Sequence, residues 1–352
     1  MVRVHLHAGL HKTGTTAIQE CAWANRRRLL RQGLLYPGFG PFVWRNAPAH
    51  HRFAHALVEQ DDKLSAADTG PLVEAWHARA RRRGADILLS SESICRHVVS
   101  DGGKDWFSRR RQYLARVAES LQNFEVSPIL VLRRQDEFVR SLYQEHVMKG
   151  TTRLGKLDFP GFRKRVSRSR LRFLDNLRLF EDVFGAVRVL TYEELAENGL
   201  LTSFFAALGL PDLKVRNRRV VRPSLTVAET LIKQRLNRHV KSPAANDKLL
   251  AWLRSRKVRR ILESSFDGTE SLWSSYDEQA AFQQTWMEEN RLIAEAFRNG
   301  HKPLFPRLAA WGDDQLPAPS HADVSRALER AVAASPRKLK SVIGSNALAA
   351  LG

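Results

Sequence analysis

The chain has 352 residues, with 57 Lys and Arg against 37 Asp and Glu, a formal net charge of +20 and 43% hydrophobic residues. That composition excludes wholesale disorder, and the length allows one large or two modest domains, each with a buried core. No run approaches the roughly eighteen apolar residues of a membrane-spanning helix, and Met1 to Ala8 lacks a secretory core, so a soluble, cytoplasmic protein is expected. Cys21 and Cys95 stand apart and form no zinc or disulfide pattern, so reduced thiols are expected.

Val2 to His7 alternates polar and apolar residues and predicts a strand; Gly9 and Gly14 follow, then a helical run from Thr15 to about Gln32. Leu34 to Tyr36 predicts a short strand ending at Pro37-Gly38. Helices are expected around 51–60 and 71–83, with Pro71 in a first turn. The compact apolar runs Asp86 to Ser91 and Pro128 to Leu132 predict strands buried on both faces, and Val187 to Leu190 a weaker one. Helices are expected between them at 106–123, 137–149 and 171–184. This alternation predicts an α/β fold, a three-layer α/β/α arrangement around a central, mainly parallel sheet. Beyond Tyr192 the pattern is helical, near 193–208, 226–239, 247–262 and 277–298. One domain over 1–310 is expected, followed at 311–352 by an appended basic, helical or partly disordered tail.

The basic residues fall in short clusters, at 26–28, 81–83, 109–111, 163–172 and 216–222. A charge run mostly marks a solvated face, but the total attracts polyanions: nucleic acid, anionic lipid or a phosphorylated nucleotide. The clusters lack interleaved aromatic residues for base stacking, so nucleic acid is not an expected partner, while peripheral contact with an anionic membrane surface stays open.

Gly9-Leu10-His11-Lys12-Thr13-Gly14-Thr15-Thr16 follows a strand and opens a helix, where backbone N–H groups and the positive helix end favour phosphate. The glycine spacing is that of a nucleotide-triphosphatase loop. The position that carries the lysine in that loop is Thr15 here, and the lysine lies upstream at Lys12, so an ATP or GTP hydrolase is disfavoured. His11-Lys12-Thr13-Gly14-Thr15-Thr16 resembles the 5′-phosphosulfate loop of the sulfotransferases, usually Pro-Lys-Ser-Gly-Thr-Thr, and the pattern is closest to bacterial carbohydrate-type enzymes. The resemblance implies that residues 11–16 bind the donor 3′-phosphoadenosine 5′-phosphosulfate (PAPS). It also implies that Lys12 stabilises the negative charge growing on the bridging oxygen, without a metal.

Arg133 ends a predicted strand and Ser141 lies eight residues on, within the next helix. This is similar to the family's 3′-phosphate motif and assigns both residues to the donor: a planar guanidinium holds two phosphate oxygens and a hydroxyl takes a third. Glu92 follows another strand, where many carbohydrate enzymes of the family carry a glutamate, and is the candidate general base; His97 is the runner-up. Val221 to Leu225 is also similar to the bacterial enzymes, with Arg222 and Ser224 extending the nucleotide site. The Arg-Lys-Gly motif of the cytosolic aryl enzymes is lacking, and Ala17 replaces their tryptophan, which argues against small phenols. The implied acceptor is a hydroxyl of a carbohydrate or glycolipid. The alternatives are a P-loop kinase acting on a small molecule and a non-catalytic basic protein that binds polyanions. No oligomeric state is implied.

Overall fold

The computed structural model describes residues 1–343 except 11, 44–46, 101–104, 167–169, 214–223, 267, 269, 313 and 314. Five strands, β1 (Arg3–His7), β2 (Leu34–Leu35), β3 (Asp86–Ser90), β4 (Glu125–Leu132) and β5 (Arg188–Thr191), form one sheet in the order β2-β3-β1-β4-β5. Every pairing is parallel. The sheet is flanked by helices, as expected for a three-layer α/β/α fold. No helix among the described residues is long and apolar enough to cross a membrane.

The register explains where a ligand site belongs. His7 on β1 is level with Ser90 on β3 and with Ile129 on β4, and Leu132 is level with Thr191 on β5. The carboxyl ends of β3, β1, β4 and β5 therefore form one continuous edge. From β1 the chain first runs to the edge strand β2, returns to β3 beside β1 and then crosses to β4 and β5, so the strand order reverses beside β1. Ligands of open parallel sheets bind in the crevice at such a point.

The apolar strands β3 and β4 are buried along most of their length, as expected. Ile18, Ala22 and Leu29 of helix Thr15–Arg31 share a core with Leu88, Ile129, Val131, Phe204 and Phe205. Helix Phe173–Phe184 packs on β4 and against helix Trp106–Ser120.

The chain divides into two compact units: Met1–Arg134 with Arg172–Val221 and Glu288–Pro306, and Gln135–Leu171 with Arg222–Met287 and Arg307–Gly352. The whole sheet belongs to the first. The second is helical, and segment 311–352, expected as an appended tail, supplies it with helix His321–Ala334, whose Val324, Leu328 and Ala331 join Ile232, Leu249, Trp252 and Leu262 in one core.

Several helix boundaries differ from expectation for local reasons. Helix Ala66–Arg83 starts before Pro71 because Ser65 and Asp68 form a reciprocal capping box, which satisfies two N–H groups at the true start. The expected 193–208 helix is two, Tyr192–Glu197 and Leu200–Ala207, split at Gly199, whose φ of 88° a helix cannot continue. The regions 247–262 and 277–298 likewise divide, into Pro243–Leu253 with Arg256–Ser265 and Tyr276–Gln284 with Met287–Arg298.

The second unit buries a lysine completely. Lys233 Nζ donates to Asn237 Oδ1 and Asn246 Oδ1, both at 2.6 Å. The two asparagines donate in turn to Val147 O (2.9 Å) and Met148 O (3.1 Å), carbonyls in the last turn of helix Gln135–Lys149. A neutral amine has two N–H donors for these two acceptors, and burial pushes the lysine down to about 7. The unfolded chain keeps this proton up to about 10.5, so stability from this group is full above that value and is lost as the pH falls towards 7. Lys233 therefore adds an upward slope to the unfolding free energy above pH 7, and Lys233→Met is expected to remove that increment. It is read as the difference between parent and variant in urea titrations at pH 7 and pH 8, below the range in which the buried Cys21 and Cys95 thiols pull the other way.

Candidate functional site

β1 does not end its pairing at His7: Ala8 N–H donates to Ile129 O (3.0 Å) and Leu10 N–H to Val131 O (3.3 Å), carrying the chain along β4. Two residues then turn it back. Lys12 has φ 67° and Gly14 φ 77°, both left-handed. A side chain at Gly14 would also overlap Leu200, so glycine is required there twice over. Thr13 is buried and donates to Leu10 O (2.6 Å); Thr15 Oγ1 is buried 3.3 Å from Thr13 Oγ1 and 3.5 Å from Leu10 O, so both hydroxyls brace the loop. Thr16 is exposed and Lys12 half-buried. Helix Thr15–Arg31 opens at Gly14 with no side-chain cap and no acidic residue in its first turn. Its orphan N–H groups and positive end suit an anion. His11 lies outside the described residues.

Arg133, just beyond β4, reaches across to the loop. Its Nη1 donates to Lys12 O at 3.0 Å, and its guanidinium carbon stands 4.8 Å from the centroid of Tyr192, the residue after β5. The residue thus joins three strand ends. Ser141 is buried on helix Gln135–Lys149, which begins the second unit, so its partnership with Arg133 rests on sequence spacing. Ser224 also belongs to the second unit and lines a cavity of about 300 Å³ with Thr226, Glu229, Arg254 and Arg259. Arg222 and the 216–222 cluster lie outside the described residues.

Glu92 begins a short 3-10 turn, Glu92–Cys95, immediately beyond β3, and is half-buried. The turn is tied to β1 by Ser91 N–H donating to His7 O (2.9 Å) and by the Cys95 thiol donating to Ala8 O (2.5 Å). Both serines flanking Glu92 meet one imidazole: His51 Nδ1 lies 3.0 Å from Ser91 Oγ and 3.1 Å from Ser93 Oγ. His97, the runner-up base, has its Nε2 2.7 Å from His55 Nδ1. Burial, reinforced by His55, Arg96 and Arg110, pushes His97 down to about 4, so it is neutral at physiological pH.

Two fully buried histidines complete the edge. His7 Nδ1 lies 2.9 Å from Ser90 Oγ, and a Cβ on Gly9 would stand 2.8 Å from His7 Nε2. His50 Nδ1 accepts from Ser90 N–H (3.0 Å), so its Nε2 carries the proton and donates to Pro37 O (3.0 Å). Burial lowers both imidazoles to about 4, Glu92 opposing the shift at His7. Sequence reasoning missed His50 and His51, whose signal was the cluster of histidines at 50, 51 and 55. Tyr192 and Glu193, at the end of β5, were missed because they read as the opening of a helix.

Within one unit, then, a loop suited to phosphate, an arginine bonded to that loop and a carboxylate beyond the neighbouring strand share one sheet edge. This arrangement can hold an anionic ester and offers a base to a second substrate. Among the described residues no group of three or more His, Cys, Asp or Glu is placed to hold a metal ion. No protein-family model, no curated protein and no solved structure matches the chain.

Proposed function

We propose that the protein is a sulfotransferase that moves a sulfuryl group from PAPS to a hydroxyl of a carbohydrate or glycolipid. The observation that carries this reading is the bond from Arg133 to the carbonyl of Lys12. It joins the residue assigned to the 3′-phosphate to the loop assigned to the 5′-phosphosulfate, two assignments made from motifs 121 residues apart. The left-handed Lys12 supports it too. Glycine would adopt that backbone at lower cost, so the side chain is the reason for the residue.

In the proposed reaction the acceptor oxygen attacks sulfur in line with the bridging oxygen. A sulfur–oxygen bond forms to the acceptor as the sulfur–oxygen bond to the 5′-phosphate breaks. The acceptor proton passes to the Glu92 carboxylate, and adenosine 3′,5′-bisphosphate leaves. Lys12 stabilises the negative charge on the departing oxygen, the loop N–H groups hold the 5′-phosphate, and Arg133 holds the 3′-phosphate. The chemistry asks for no metal. A cytoplasmic location accords with the two unpaired cysteines.

Isothermal titration with adenosine 3′,5′-bisphosphate tests the reading; no heat of binding at millimolar concentrations would refute it. Lys12→Ala is expected to lower sulfuryl transfer by a factor on the order of a hundred or more, read by mass spectrometry of a glycan acceptor panel. Glu92→Gln keeps the shape and removes the base. It is expected to reduce kcat by about 100-fold with bisphosphate affinity unchanged, and an active Glu92→Gln chain would take Glu92 out of the mechanism.

A further inference from the structure

Beside Arg133 sits a carboxylate that the proposed chemistry does not use. Glu193 is the second residue of helix Tyr192–Glu197, directly after β5. Its Oε1 accepts from the backbone N–H of Arg134 at 3.0 Å, while Oε2 is buried with no hydrogen-bond partner among the described residues. Because Leu132 on β4 is level with Thr191 on β5, Arg133 and Arg134 leave the sheet alongside Tyr192 and Glu193. The electrostatics are mutual: burial raises the Glu193 carboxyl, and the Arg134 N–H with the Arg133 and Arg134 guanidinium groups draws it back down.

A negative charge is more than the hydrogen bond needs. The neutral oxygen of a glutamine side chain would also accept from Arg134 N–H, its amide N–H group taking the buried place of Oε2, so the hydrogen bond alone does not account for the charge. Nor does the charge itself attract an anion, since it opposes the field of Arg133 and Arg134, the two guanidinium groups that act on it.

We propose that Glu193 tunes the affinity of the loop and Arg133 for phosphate esters. It holds that affinity below what the cations alone would give, so that a doubly phosphorylated product can depart. The proposal rests on the reading of this edge as a bisphosphate site. Glu193 acts through Arg133 and Arg134 and is a positioning residue, not a catalytic one.

The test is calorimetric titration of adenosine 3′,5′-bisphosphate into the full chain and into Glu193→Gln, with dissociation rates from stopped-flow. Glu193→Gln is expected to bind about tenfold more tightly, mostly through slower dissociation, because it keeps the acceptor and loses the opposing charge. A carboxylate that only supports the turn predicts the reverse, so binding by Glu193→Gln that is equal to or weaker than that of the parent chain overturns the proposal. Should the glutamine chain fail to fold, Glu193→Ala removes the same charge; there the expected tightening is about threefold, and its absence is equally fatal. A parent chain that binds no bisphosphate removes the site reading and this inference with it. A parent that binds, with variants no tighter, removes this inference alone.

Discussion

The position of β1 between β3 and β4 is the constraint on which the candidate site depends. A central strand has neighbours on both sides, and at its end they part company here. The chain after His7 stays with β4 through Ala8 and Leu10, whereas β3 turns away at Ser91, held back to β1 by Ser91 N–H on His7 O and the Cys95 thiol on Ala8 O. The phosphate-type loop follows β1, and Glu92 follows its neighbour β3. Left-handed backbone at Lys12 and Gly14 then reverses the chain so that helix Thr15–Arg31 begins beyond the same sheet edge with no side-chain cap. Arg133 holds the reversal from the β4 side by binding the carbonyl of the strained lysine.

The Glu92 side is framed differently. The end of β3 that leads into its turn is held at Ser90 by His7 and His50, imidazoles that burial keeps neutral, and a neutral imidazole is a directional donor and acceptor that adds no charge. His50 shows how completely such a group can be used: the backbone N–H of Ser90 takes one nitrogen and the Pro37 carbonyl the other, while His50 N–H itself donates to Ser90 O at 2.9 Å. The result pins the end of β3 to the 37–50 segment, and His51 carries the restraint onward to the two serines beside Glu92.

Much of this was legible beforehand where the signal is local. The alternation of Val2 to Leu6 and the apolar runs in β3 and β4 are set by burial within a few residues, and the loop motif follows directly from the strand that precedes it. Helix ends were less legible: a capping box at Ser65 and a glycine at 199 override periodicity that looks continuous. The histidine frame was not legible, since His7 meets Ser90 across 83 residues and His97 meets His55 across 42. Only the parallel sheet, which stacks distant strand ends at one edge, brings these partners together. Glu193 escaped notice for the same reason: one residue past a weak strand, its meaning comes from β4 beside it.

The basic excess also looks different once partners are known. Some cations are cancelled by carboxylates, as with Arg52 and Asp61 or Arg163 and Glu278. Arg110 is instead anchored through a carbonyl oxygen, fully buried with Nη1 on His97 O and its guanidinium near the rings of Tyr113 and Phe180; Arg133 likewise holds a carbonyl, that of Lys12. A carbonyl fixes a guanidinium in place without neutralising it, and an aromatic face does the same. Anchored in this way, a cation keeps both its direction and its field, which a surface ion pair exchanged with solvent does not. On the proposed sulfotransferase reading, the cations around Arg133 draw the anionic product strongly, and for its release strong attraction is a liability. Glu193, set among the very arginines that create the field, is where the fold moderates it.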